Sequence, residues 1–185
     1  MPEGFKVIVA TTDNGGIGIN GQLPWKNSTD MKYFKNITTQ RLDERKVNAV
    51  IMGRRTFDSL NYKPLPNRLN VCITSMNPFA AYPFFGVDSK KVLFFNSLDS
   101  ALKQLYQNPV VENIFIIGGG MLYTEALKHP DCEELLVNRI KCDVECDTFF
   151  PEIDSNVFLM SASTRLDETV VNERYLHRRH HSNTI

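Results

Sequence analysis

An acid, Asp30, stands five residues after the chain's only tryptophan, Trp25, in the stretch GQLPWKNSTDMKYF (residues 21–34). It opens a short amphipathic pattern containing Met31, Phe34 and Ile37. Two readings fit. A first-turn acid complements the helix dipole; an acid on the same side as those apolar residues faces the interior, where an unpaired carboxylate costs several kcal/mol. A second cluster lies in VIMGRRTFDSL (50–60), where a strand-like run ends at Gly53 and a helical one begins with Arg54, Arg55 and Thr56. Cations at a helix N-terminus are misplaced by ~0.3–1 kcal/mol each. They become favourable when an anion sits there, because guanidiniums, hydroxyl and helical N–H groups then all address it. Two solvated arginines on a surface turn are the plain alternative. A third cluster is IFIIGGGMLY (114–123), a buried strand running into Gly118, Gly119 and Gly120 before another helix. Glycines there suit a close approach of backbone to ligand, or tight packing of helix on strand. Two strand–glycine–helix units in one small chain point to a ligand with several phosphates.

A fourth glycine pattern misleads. In GGIGING (15–21), Gly16, Gly18 and Gly21 satisfy GxGxxG, yet QLPW follows, with Pro24 and no apolar period. The dinucleotide fingerprint needs a helix starting at its glycines. The segment reads instead as a flexible loop that closes over a site.

These residues need elements to carry them. Apolar or β-branched runs at 6–12, 47–53, 69–75, 91–96, 113–119 and 135–140 read as strands. Helical patterns lie between them at about 29–38, 54–60, 97–106 and 121–128, the third capped by Ser97. Strands alternating with helices predict an α/β layer structure with a largely parallel sheet. The stretch 76–89 reads as a surface loop, and the tail (157–185) as added antiparallel strands.

The 185 residues make room for one domain, taken as 1–185, and the formal net charge is zero. No nucleic-acid partner is expected; RRHH (178–181) reads as the outer face and end of an edge strand. No apolar run approaches a membrane span, so no membrane partner is expected. The N-terminus lacks the basic region of a signal peptide, so cytoplasmic placement is expected. The four cysteines, Cys72, Cys132, Cys142 and Cys146, read as free thiols, and no metal is expected at CDVEC.

Taken in order, IVATTDNGGIGINGQLPW, Asp30, VIMGRRTFDSL, PLPNRLNV, IIGGGMLY and CDTFFPEID resemble the dihydrofolate reductases, over about residues 5–155. The resemblance implies one α/β domain with a central, mostly parallel eight-stranded sheet, an antiparallel C-terminal edge strand and flanking helices. It implies reduction of 7,8-dihydrofolate to tetrahydrofolate by NADPH, in support of one-carbon metabolism and thymidylate synthesis. Asp30 would accept hydrogen bonds from the pterin 2-amino group and N3–H, and burial should raise its pKa. The implied catalytic set is Asp30 with Leu23 and Trp25, a water admitted by the Gly16–Leu23 loop protonating N5. For the substrate the resemblance implies Val9, Ala10, Asp30, Met31, Phe34, Ser59, Leu60, Leu65, Arg68, Ile117, Tyr123 and Asn138. Arg68 would fork onto the glutamate α-carboxylate. For NADPH it implies Ala10, Ile17, Gly18, Gly21, Gly53, Arg54, Arg55, Thr56, Thr74, Ser75, Ile117, Gly118, Gly119, Gly120, Met121, Leu122 and Tyr123. Arg54, Thr74 and Ser75 would meet the 2′-phosphate. Antifolate inhibitors are implied as ligands, and thymidylate synthase as a fused or associated partner.

Two positions depart from the family pattern. Asn138 stands where a threonine usually links the buried acid to the pterin amino group, which predicts a working but perturbed network around Asp30. TSMN (74–77) lacks the basic residue usual after the strand-end hydroxyl, which shifts the 2′-phosphate clamp toward Arg54 and Arg55. The competing readings are a same-fold reductase of another heterocycle, such as a riboflavin-pathway pyrimidine, and a non-catalytic nucleotide-binding relative.

Overall fold

The computed structural model describes residues 1–181. In chain order the elements are β1 (Phe5–Thr12), β2 (Gly16–Gly18), α1 (Ser28–Thr39), β3 (Val47–Gly53), α2 (Arg54–Ser59), β4 (Leu69–Ile73), α3 (Pro78–Phe85) and β5 (Val92–Phe95). There follow α4 (Leu98–Tyr106), β6 (Val111–Ile116), α5 (Gly120–Lys128), β7 (Cys132–Ile140), β8 (Thr148–Phe149), β9 (Phe158–Arg165), β10 (Val170–His177) and α6 (Arg178–His181).

Eight strands form one sheet in the order β5-β4-β3-β6-β1-β7-β10-β9. The first six run parallel, β10 is antiparallel to β7, and β9 is antiparallel to β10. The antiparallel strand expected at the C-terminal edge therefore lies one place inside it, and β9 forms the edge. Alternate strand residues feed two cores. Val7, Val9, Ile116 and Val137 pack with Leu98, Leu102, Leu122 and Tyr123 of α4 and α5 on one face. Ile8, Val50, Met52 and Leu136 pack with Tyr33, Phe34 and Ile37 of α1 on the other. Helices on opposite faces leave a crevice at the carboxyl ends of the central strands, where α/β sheets bind ligands.

Two asparagines hold the crevice walls. Asn48, 1% exposed, donates to the Thr38 and Gln40 carbonyls and accepts from the Asn113 N–H, which fastens the end of α1 to β3 and β6. Asn70, also 1% exposed, accepts from Leu65 N–H and donates to the Leu65 and Arg68 carbonyls, which folds PLPNRLN onto the start of β4.

Three expectations change. Residues 76–89 contain a helix, α3: the Asn77 side chain caps it by accepting from Phe79 N–H, Pro78 pre-sets its first turn, and Gly86 ends it at φ 66°. RRHH is a helical turn, not the end of a strand. The glycine loop is tied down, since β2 pairs with β8, Phe150 N–H donates to the Gly15 carbonyl and Asp147 Oδ2 accepts from Asn20 N–H. The four cysteines are free; CDVEC is irregular, and a Cβ on Gly16 would strike Cys146 Sγ. No helix among the described residues is long and apolar enough to cross a membrane.

Candidate active site

Asn27 caps α1 by accepting from the backbone N–H of Asp30, 2.9 Å away, which sets Asp30 in the first turn with its side chain toward β7. There Asp30 Oδ1 accepts from Asn138 Nδ2 at 2.9 Å, and Oδ2 is left for a ligand. Burial pushes the Asp30 carboxyl above the usual carboxylate range, and the Asn138 donor draws it part of the way back. Both readings of this acid therefore hold together: it is a first-turn residue and a half-buried carboxylate. Trp25 Nε1 is buried and has no hydrogen-bond partner among the described residues.

Phe34, Leu60, Leu65 and Ile117 are partly buried and pack against the α1-side core, an apolar set on the side of the sheet that carries the acid. Met31 and Leu23 are exposed, at 57% and 62%. At the mouth, Arg68 donates through Nε to the Pro66 carbonyl and through NH1 to Thr38 Oγ1, and its guanidinium lies 5.9 Å from the centre of the Phe34 ring. Partial burial lowers its pKa. The result is a pre-oriented cation over an aromatic wall, suited to a carboxylate.

The glycine units meet on the other side of the crevice. Gly53 N–H donates to the Gly118 carbonyl at 2.8 Å, which joins the ends of β3 and β6. Gly53 and Gly119 are the N-caps of α2 and α5, and neither helix start receives a side-chain cap. A Cβ on Gly118 (φ 121°) would lie 3.3 Å from Tyr123 and 3.4 Å from Thr56 Oγ1; one on Gly120 would lie 3.1 Å from Thr148 Cγ2. Side chains are excluded, so bare backbone lines a cradle. The free N–H groups at the start of α5, with Arg54 and Arg55 exposed beside them, suit an extended ligand with several phosphates. Arg54 is held 5.5 Å from the ring centres of both Phe84 and Phe85, so α3 fixes its direction. Ile17 packs toward Gly120 and places the paired glycine segment over the cradle, with Gly18 in β2 and Gly21 (φ 76°) at its tip.

Several expected residues sit differently. Val9 points into the α4/α5-side core, 6% exposed, so only its backbone lines the crevice; its neighbour Ala10 faces the acid's side and pairs with Asn138. Leu122, 7% exposed, is core for the same reason, while Met121 beside it is 89% exposed. The Tyr123 hydroxyl donates to the Ile8 carbonyl, so this side chain supports Gly118 from beneath. Thr74 is 4% exposed with its hydroxyl accepting from Met76 N–H, which leaves Ser75 as the exposed hydroxyl at that strand end. Ser59 is exposed and turned to the Thr56 carbonyl. Asn70, Thr38 and Asn172 escape a reading of the chain alone, because each acts through a partner distant in sequence. The Asn in the strand-like run VVNERYLH was the one visible signal.

A family model described as dihydrofolate reductase matches residues 4–180. A dihydrofolate reductase of Aedes albopictus is 39% identical over 174 residues, 91% of this chain and 90% of that protein. A bifunctional dihydrofolate reductase-thymidylate synthase of Daucus carota is 43% identical over 159 residues, covering 83% of this chain but 29% of the carrot protein. The chain thus spans less than a third of the plant relatives it matches. The solved dihydrofolate reductase of Enterococcus faecalis, complexed with NADP(H) and RAB-propyl, superposes with a TM-score of 0.73 at 31% identity, over 94% of this chain and 95% of that one. Sequence along almost the whole chain and the course of its backbone agree, and the chain belongs to the dihydrofolate reductase family.

Proposed function

We propose that this chain reduces 7,8-dihydrofolate to 5,6,7,8-tetrahydrofolate with NADPH. The observation that carries the reading is Asp30, a half-buried carboxylate with Oδ1 on Asn138, on the same side of the sheet as the partly buried apolar set Phe34, Leu60, Leu65 and Ile117. A flat ring carrying an amino group beside an N–H would satisfy that carboxylate with two parallel hydrogen bonds. Arg68, fixed over Phe34, would take the α-carboxylate at the far end of the same molecule. One site thus recognises both ends of a folate, which a slot for a small pyrimidine has no reason to do.

The glycine cradle fits NADPH: Gly118 and Gly120 leave little room for a side chain, Arg54, Arg55, Thr56 and the first turn of α5 would hold the phosphates, and Arg54 with Ser75 would hold the 2′-phosphate. NADPH, when bound, supplies the hydride for pterin C6. Ala10, Ile17 and Ile117 would exclude water from the reacting face. Asp30 orients the ring and favours its N5-protonated form, and a water passing Leu23 brings the proton to N5. Trp25 Nε1, buried and without a partner, suits a donor to such a water.

The same Asp30 pair of hydrogen bonds would receive antifolates that present two adjacent N–H donors. Residues 1–185 are read as one reductase domain acting in the cytoplasm. Association or fusion with thymidylate synthase is proposed from the plant relatives' names, and co-purification of that activity from the native source tests it. For the reduction itself, the test is the fall in NADPH absorbance when dihydrofolate is added to purified protein. Turnover is expected with dihydrofolate and not with an aminopyrimidine of the riboflavin pathway. NADPH binding without dihydrofolate-dependent oxidation would overturn the reading.

A further inference from the structure

Asn138 and Asn172 stand directly opposite each other across β7 and β10, with side chains on the face that carries Asp30. Asn172 Nδ2 lies 2.9 Å from Asn138 Oδ1 and 3.0 Å from the Tyr33 hydroxyl oxygen, so both hydrogens of one amide are used. Asn138 Nδ2 in turn lies 2.9 Å from Asp30 Oδ1. The bonds run in one direction, from Asn172 through Asn138 to the acid. An amide has a donor end and an acceptor end, and Asn138, 2% exposed, has no water to repair a wrong choice. Were Asn138 turned over, its oxygen would oppose the Asp30 carboxylate and its nitrogen would oppose the Asn172 nitrogen.

We propose that Asn172 is a positioning residue for the buried acid: by claiming the oxygen of Asn138, it turns that residue's donor onto Asp30. This deepens the reading of Asp30 as the pterin-binding acid and rests on it only for its kinetic consequence. The chain of three bonds is also reversible as a unit. With Asp30 protonated, its hydroxyl donates to Asn138 Oδ1, Asn138 Nδ2 donates to Asn172 Oδ1, and the Tyr33 hydroxyl donates to that same oxygen. Each of the three bonds survives with its direction inverted.

The other charged and titratable groups nearby do not compete for this role. Tyr33 on α1 and Tyr123 on α5 are both held above the usual tyrosine range, chiefly by burial. Glu134, on the same face of β7, is paired with Arg174 of β10 and, at 3.8 Å, with Lys6 of β1. Arg139 and Glu173 pair with each other, 2.8 Å apart, from the opposite face. With the Asn138 donor no longer held in place, burial acts on Asp30 unopposed, and the protonation midpoint moves to higher pH.

The test is an NMR titration of the ligand-free protein, following the Asp30 carboxyl carbon together with the side-chain amides of Asn138 and Asn172. Both amides should shift with the same midpoint as Asp30. In Asn172→Leu the midpoint should rise by about one pH unit, about tenfold in the protonation equilibrium, and the pH profile of hydride transfer should move with it. Tyr33→Phe, which leaves the sheet intact, should move the midpoint the same way by less. An Asn172 amide that ignores the Asp30 titration, or variants that lose thermal stability with the midpoint unmoved, would overturn the proposal. Coupled amides in a protein that does not oxidise NADPH with dihydrofolate would instead sink the reaction and leave the relay standing.

Discussion

Asp30 is asked to do two things that oppose each other. In the first turn of α1 its charge is welcome, and in the crevice the same charge is partly stripped of water. Because the folded-state pKa is raised, ionised Asp30 weakens the ligand-free protein. The contribution of Asp30 to stability is fully present below the ordinary carboxylate value and is lost as pH climbs through the raised one. Asp30→Asn should therefore gain stability relative to the wild type as pH rises through that range and be no less stable at pH 7, and thermal melts of both proteins across pH check this. Arg54 gives a prediction of a different kind. Held against Phe84 and Phe85, it is the pre-oriented cation beside Ser75, where the chain has Met76 instead of a base. Arg54→Ala should raise KM for NADPH by about 10- to 100-fold and change KM for NADH far less. Equal losses for both cofactors, measured by steady-state kinetics, would remove Arg54 from the 2′-phosphate. At this scale the chemistry-bearing residues were legible: an acid after a tryptophan, arginines at a helix start and a run of glycines are each unusual enough to notice. Among their partners, Asn138 is legible only through the family resemblance, and Asn172, which reaches Asn138 through the pairing of β10 with β7, is not legible at all.

The elements position these residues through a few buried polar ties. Asn70 makes three hydrogen bonds to the segment that carries Leu65 and Arg68, so the slot and its mouth share one anchor. Asn70→Ala should cost about 2 kcal/mol of stability and raise KM for dihydrofolate more than it lowers kcat, because Arg68 loses its seat while Asp30 keeps its own. Denaturation curves and kinetics on the same preparation separate the two effects. Strands β1 and β3 to β7 and helices α1, α2, α4 and α5 can be read from the chain because apolar runs and helical patterns alternate along it, with side-chain caps marking the starts of α1 and α4. α3 was missed although Asn77, Pro78 and Gly86 mark its ends, because its apolar residues follow no helical stripe and Pro83 lies inside it. β2 and β8 are legible to no local rule: three residues and two residues become strands only because a segment from each end of the fold pairs across the crevice.

For the whole molecule, the order β5-β4-β3-β6-β1-β7-β10-β9 gathers the acid of α1, the arginines of α2 and the glycines before α5 around the same strand ends. The alternation of strands and helices implied a parallel sheet, but neither the place of β10 inside β9 nor the meeting of Gly53 with Gly118 follows from alternation. Those depend on which strands pair, and pairing was learned from the fold. The proposed role of Asp30, a half-buried carboxylate steadied by Asn138 that orients the pterin and favours its protonated form, is read out by stopped-flow hydride transfer from NADPH to dihydrofolate across pH, in the wild type and in Asp30→Asn. A fall of about a hundredfold at pH 7 is expected in the variant, narrowing toward acid pH, where the substrate brings its own proton. A variant whose rate and pH profile match the wild type would contradict it.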